Sequence, residues 1–153
     1  MNKFFLVAVF AVAACFALRS DGGTWTSNPT PAPLAAAPIA GQRTDAAFEN
    51  AYVNRLSNLQ LHGEGQVIKL LPDDNEGSRH QRFIVKLDSG RTLLIAHNID
   101  LASRIDTLRT GDTVAFHGEY EWTRKGGVMH WTHRDPLGRH EGGWIKHRGK
   151  TYQ

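Results

Sequence analysis

From Leu59 onward the apolar residues recur at every second position and are broken at short intervals by Gly, Asp and Asn, which is the period of half-buried β-strands. Leu59, Leu61, Val67 and Leu71 mark a first strand, bent or bulged around Gly63 and Gly65. The turn-rich stretch Pro72-Asp73-Asp74-Asn75-Glu76-Gly77-Ser78 separates it from a second strand near Gln81 to Leu87. Asp88-Ser89-Gly90 then closes a hairpin onto a third, Thr92 to Ala96. Arg109-Thr110-Gly111-Asp112 leads into a fourth, Thr113 to Trp122, which returns through Lys125-Gly126-Gly127 into a fifth, Val128 to His133.

Two stretches follow a different period. Phe48, Ala51, Tyr52, Leu56 and Leu59 are spaced by three and four, with Thr44 or Asp45 available as N-cap, and predict one amphipathic helix from Asp45 to about Asn58. Leu101, Ile105 and Leu108 share that spacing and predict a short helix between the third and fourth strands. The fold class expected is mostly β: a small five-stranded OB-like barrel with that short helix, preceded by the amphipathic one, over residues 45–153. Residues 135–153 add a loop and a short strand around Trp144-Ile145-Lys146-His147.

The N-terminus reads differently. Lys3 precedes an unbroken apolar run from Phe4 to Leu18 that ends at Arg19. At about fifteen residues it is short of the ~20 needed to span a bilayer but suits a secretory leader, assigned to residues 1–18. Val12-Ala13-Ala14-Cys15 resembles the bacterial lipobox, in which the cysteine is lipidated, so Cys15 is the candidate lipidation site. Cleaved secretion and an uncleaved anchor are the alternatives, and all three place the domain outside the cytosol, as a periplasmic protein or a membrane-anchored lipoprotein. Residues 19–44, with Pro29, Pro31, Pro33 and Pro38 among Ala, Thr and Ser, read as a linker. Cys15 is the sole cysteine, so no intramolecular disulfide forms.

Charge changes the picture only locally. The net charge of the 153 residues is +3, but from Trp122 onward Arg124, Lys125, Arg134, Arg139, Lys146, Arg148 and Lys150 face only Asp135 and Glu141. That end either engages an anionic polymer such as nucleic acid, or an envelope component, or simply keeps a surface wet.

Several phrases carry a family resemblance: His80-Gln81-Arg82-Phe83, His97-Asn98-Ile99-Asp100-Leu101-Ala102, Gly118-Glu119-Tyr120-Glu121-Trp122 and His130-Trp131-Thr132-His133-Arg134-Asp135-Pro136. Together, over about His62 to Gln153, they resemble an uncharacterised family of short bacterial secreted domains known by a domain-of-unknown-function label. The resemblance implies no activity.

All eight histidines lie in the barrel region, which raises the chance of an acid–base or metal site. Alternation on the fourth strand puts Val114, Phe116, Tyr120 and Trp122 on one face and His117, Glu119 and Glu121 on the other; His130 of the fifth strand joins the polar face. His117, Glu119 and His130 are therefore candidate ligands of a divalent metal such as zinc, or else a polar face that only pairs across strands. His130 and His133 have metal-like spacing, yet both can reach one ion only if the strand ends between them.

In the loop that follows, His133, Asp135, Arg139 and His140, with His130, are candidate catalytic residues. Asp135 reads equally as a turn former that accepts nearby backbone N–H bonds. His80, His97 and Asn98 converge on one barrel end only if the OB topology holds, and buried histidines there more often have structural partners. No phosphate-binding Gly-rich loop, His-Glu-x-x-His or Gly-x-Ser-x-Gly is present, and no Cys ligand lies in the domain.

Two functions stay open. One is a binding module that uses basic residues and Tyr120, Trp122, Trp131 and Trp144 on an anionic polymer. The other is a metal-dependent hydrolase of the phosphodiesterase or nuclease kind.

Overall fold

The computed structural model describes residues 40–153, with side chains from Thr44 onward. The leader, Cys15 and most of the linker lie outside the described residues. No helix of the described residues is long and apolar enough to cross a membrane.

The elements are α1 (Ala40–Val53), β1 (Leu59–Leu70), β2 (His80–Lys86), β3 (Thr92–Asn98), β4 (Thr113–Glu121), β5 (Val128–His130), β6 (Trp144–His147) and β7 (Lys150–Tyr152). The sheet runs β1-β2-β3-β5-β4-β6-β7, and β1 also pairs with β4, which closes the first five strands into a barrel. All ladders are antiparallel except β3 with β5. This is an OB-like Greek-key barrel, with the β6–β7 hairpin added along the edge of β4 that also carries β5.

Closure depends on the length of β1. Its first part pairs with β4, from Leu59 opposite Tyr120 to Gln66 opposite Thr113, and its last part pairs with β2. The register shift that lets one strand serve both neighbours falls between Val67 and Lys69, beyond the expected bend at Gly63 and Gly65. Gly63 is small for packing reasons: a Cβ there would lie 2.8 Å from Phe48 Cε2 and 3.2 Å from Phe116 Cζ.

The interior comes from alternate positions. Val67, Phe83, Val85, Leu93, Ile95, Val114, Phe116, Tyr120, Met129 and Ile145 are fully buried. Helix α1 plugs one end with Phe48 and Ala51, and the Phe48 ring meets Phe116 and Tyr120 at 6.0 and 5.9 Å between centroids. Trp122 is tied to that helix, its Nε1–H donating to the Tyr52 carbonyl at 3.0 Å.

Three expectations are corrected. The helix begins at Ala40, ahead of Asp45 and inside the expected linker, and ends at Val53; Asp45 is not its cap but accepts the Ser89 N–H at 2.6 Å. Residues 99–112 form turns, with no helix between β3 and β4. Gln81 holds them open: its amide donates to the Ile105 carbonyl at 3.1 Å and accepts the Ile105 N–H at 2.8 Å. The fifth strand stops at His130, because Trp131 adopts a left-handed φ of 53°. The strand expected near Trp144 is present, and β7 joins it through Arg148 and Gly149, whose φ values of 48° and 77° suit a two-residue hairpin turn.

Candidate functional site

The outer face of β1, β4 and β5 is polar because the inner face takes the apolar alternates. Cross-strand pairing sets Gln60 opposite Glu119, His62 opposite His117, and Glu119 opposite His130. His117, Glu119, Glu121 and His130 thus share one face, as alternation required. Gly118 lies beneath the end of β5, and a Cβ there would collide with the His130 carbonyl.

Glu119 is the hub. One oxygen is 3.4 Å from His130 Nε2 and the other accepts from His140 Nε2 at 2.6 Å. His140 also donates from Nδ1 to the Glu141 carbonyl at 2.7 Å and stacks on Trp131 at 3.9 Å between centroids. With both nitrogens donating, the ring is an imidazolium, and the Glu119 hydrogen bond raises its pKa above the usual histidine value.

His130 has the opposite character. Burial lowers its pKa, against the attraction of Glu119 and Glu121, so the ring is neutral with a lone pair to give. Its Nε2 is buried and has no hydrogen-bond partner, the approach to Glu119 being too poorly aligned for one. Glu119, Glu121 and His130 each bring a donor atom within 4.8 Å of the others, a set that could hold a metal ion. Gln60 Oε1 is the other unpartnered buried atom among the described residues, but turning that amide over would set the oxygen against His140 Nε2, 3.5 Å from the present nitrogen. For His130 Nε2 no such amide turn supplies a partner among the described residues.

The remaining candidates separate. His117 is on the right face but outside the metal set, its Nε2 3.1 Å from Glu141 Oε1 and its ring stacked on Trp144, so the expected trio His117, Glu119, His130 becomes Glu119, Glu121, His130. Asp135 forms the turn: its carboxylate accepts the N–H groups of Leu137, Arg139 and His140 at 3.0, 2.6 and 2.9 Å, which hold its pKa below the usual range. It is not placed as a base. The Arg139 side chain is exposed and hydrogen-bonds to no described residue.

Since β5 ends at His130, His133 turns away from the metal set. It is buried, with Nδ1 2.8 Å from the Arg134 carbonyl, and lines a cavity of about 340 Å³ with Ser78, His80, Asn98, Leu101, Trp131 and the flank of His130. His80 and Asn98 do meet at this barrel end, opposite each other on β2 and β3. His97 lies behind them as a structural histidine. It is fully buried, Nδ1 accepting from the Thr132 hydroxyl at 2.9 Å and Nε2 facing the Ser103 carbonyl at 3.3 Å, and burial lowers its pKa to about 4.

Glu121, which alternation already sets on the polar face beside Glu119, takes the place of His117 in the set, while no motif signals the cavity role of His80. Glu121 was legible from its place two residues beyond Glu119 on the polar face.

Fold and site define a small OB-like β-barrel domain that carries a histidine–carboxylate face. The chain belongs to the DUF3465 family, described as protein of unknown function, whose family model matches residues 32–153. No curated protein matches it.

Proposed function

We propose that this domain is a divalent-metal-binding barrel, with Glu119, Glu121 and His130 holding an ion such as zinc. The observation that carries the reading is the buried, neutral, unpartnered Nε2 of His130 beside two carboxylates. An orphaned buried lone pair costs about 1–3 kcal/mol, and a metal ion removes that cost. Three protein ligands leave a coordination position open, the arrangement by which a bound ion activates water, so the reading leans toward metal-dependent hydrolysis.

The anionic-polymer reading has less support. Tyr120 is wholly in the core, Trp122 is tied to α1, and Trp131 and Trp144 stack on histidines. The hollow beside β2 and β3 is lined by Leu71, Ile84, Leu94 and Val128 together with Thr92, Thr123 and Lys125, so it offers one cation but no aromatic stacking surface. Export by the apolar leader, with Cys15 as lipid anchor, belongs to the same proposal and rests on the N-terminal sequence. Cys15→Ser with unchanged membrane fractionation would remove the anchor.

The test is calorimetric titration of the chelator-treated full-length protein with Zn²⁺. One equivalent is expected to bind, with at least ten-fold weaker binding in His130→Ala and in Glu121→Gln. Equal binding by wild type and both variants, or none by wild type at millimolar zinc, refutes it.

A further inference from the structure

The cavity beside the metal set has a chemistry of its own. Leu101 and Trp131 form its apolar wall, and Ser78, His80, Asn98, His130 and His133 its polar lining; no carboxylate lines it. His133 is only 3 % exposed. A carbonyl can only accept, so the bond to Arg134 puts a proton on Nδ1 and leaves Nε2 as the ring nitrogen available to an occupant. That nitrogen has no hydrogen-bond partner among the described residues.

The other groups are donors. Asn98 Oδ1 accepts the Asp100 N–H at 2.9 Å, which leaves the Asn98 amide N–H₂ unengaged. The Ser78 hydroxyl and the His80 ring make no hydrogen bond with any described residue. An occupant that gives one hydrogen to His133 Nε2 and offers several oxygens to the groups around it would match this lining.

We propose that this cavity binds a phosphoryl group carrying one proton, as hydrogen phosphate or a phosphate monoester. The P–OH donates to His133 Nε2, and the phosphoryl oxygens accept from the Asn98 amide, the Ser78 hydroxyl and the His80 ring. At about 340 Å³ the cavity also has room for an ester substituent against Trp131 and Leu101. A phosphodiester has no P–OH and loses the contact to His133, so this ligand class differs from the phosphodiesters suggested by sequence alone. The inference shares only the His130 ring with the metal reading.

The experiment follows histidine ring signals by NMR in the full-length, chelator-treated protein as inorganic phosphate, phenyl phosphate or sulfate is added. Saturable shifts of the His80 and His133 signals are expected with phosphate, and at least ten-fold weaker binding with sulfate, which carries no proton at neutral pH. Phenyl phosphate, mostly without a P–OH at neutral pH because its second pKa is about 6, is added at about pH 5.5, where it keeps one; binding there identifies the monoester as ligand, and binding of inorganic phosphate alone identifies the free ion.

Because removing the buried His133 threatens the fold, the variants are His80→Ala and Ser78→Ala, expected to weaken phosphate by about ten-fold and a few-fold respectively. Glu121→Gln, which disables the metal set, is expected to leave phosphate binding intact, so the two readings fail separately. No saturable shift with either phosphate, equal binding of sulfate, or wild-type affinity in His80→Ala overturns the proposal.

Discussion

Acidification tests the buried histidine behind the cavity. His97 is fully buried and satisfied as a neutral ring, and its pKa falls from 6.5 in the unfolded chain to about 4 in the fold. Below pH 6.5 the unfolded state takes up a proton that the folded state refuses until about pH 4. Stability is therefore complete above pH 6.5 and is lost as the pH falls toward 4. A gap of about 2.5 pH units, at about 1.4 kcal/mol per unit, makes the loss on the order of 3 kcal/mol, a large share of a small domain's 5–15 kcal/mol.

Other groups fall in other windows or oppose it. Asp100, Asp112 and Asp135, with lowered pKa values, contribute stability that is lost only below about pH 4, and His140, with its raised value, adds stability at acid pH. His130 is lowered and acts in the same direction as His97. Urea unfolding at a series of pH values from 7 to 4.5, for wild type and His97→Gln, isolates the histidine. The variant is expected to be less stable at pH 7 but clearly flatter across the series. Equal slopes, or a His97 ring that titrates near 6.5 by NMR, would refute the reasoning.

Three further outcomes follow from the packing. Phe116→Ala empties the contact between the helix and the barrel floor and is expected to cost about 3–5 kcal/mol in urea unfolding; a cost under 1 would mean that Phe48 closes the gap. Asp112 accepts from Arg109 N–H, His147 Nε2 and Arg148 Nη2 at 2.9, 2.9 and 3.0 Å, so Asp112→Asn should lower stability at pH 7 and flatten the acid loss below about pH 4; an unchanged acid limb counts against this. Asp135→Ala should speed amide hydrogen exchange at Leu137, Arg139 and His140 while β4 amides keep their protection; unchanged exchange at those three would show that the carboxylate does not order the loop.

The barrel was legible because alternation is a local signal, and Val114, Phe116 and Tyr120 face inward wherever their strand is placed. The segment around Leu101, Ile105 and Leu108 reads as a helix because its apolar spacing matches one, whereas its backbone partner is the side chain of Gln81 on a distant strand. Ile105 and Leu108 are buried as that spacing suggests, but Leu101 is 46 % exposed. The candidate site was half visible. The face holding Glu119, Glu121 and His130 follows from period two, but the split between His130 and His133 depends on a positive φ at a tryptophan, which no local rule favours. The β7 strand had a signal, the Arg148-Gly149 pair between short apolar-polar runs.

The double duty of β1 also governs how the chain reaches this fold. Until β4 has been made and brought back to Leu59, the N-terminal half is an open three-stranded meander whose β1 and β3 edges both expose unpaired backbone groups. Closure by contacts so distant in sequence favours slow, all-or-none folding. A chain interrupted before Glu121 would be left with adhesive edges rather than a smaller stable domain, so truncations in that region should yield aggregates.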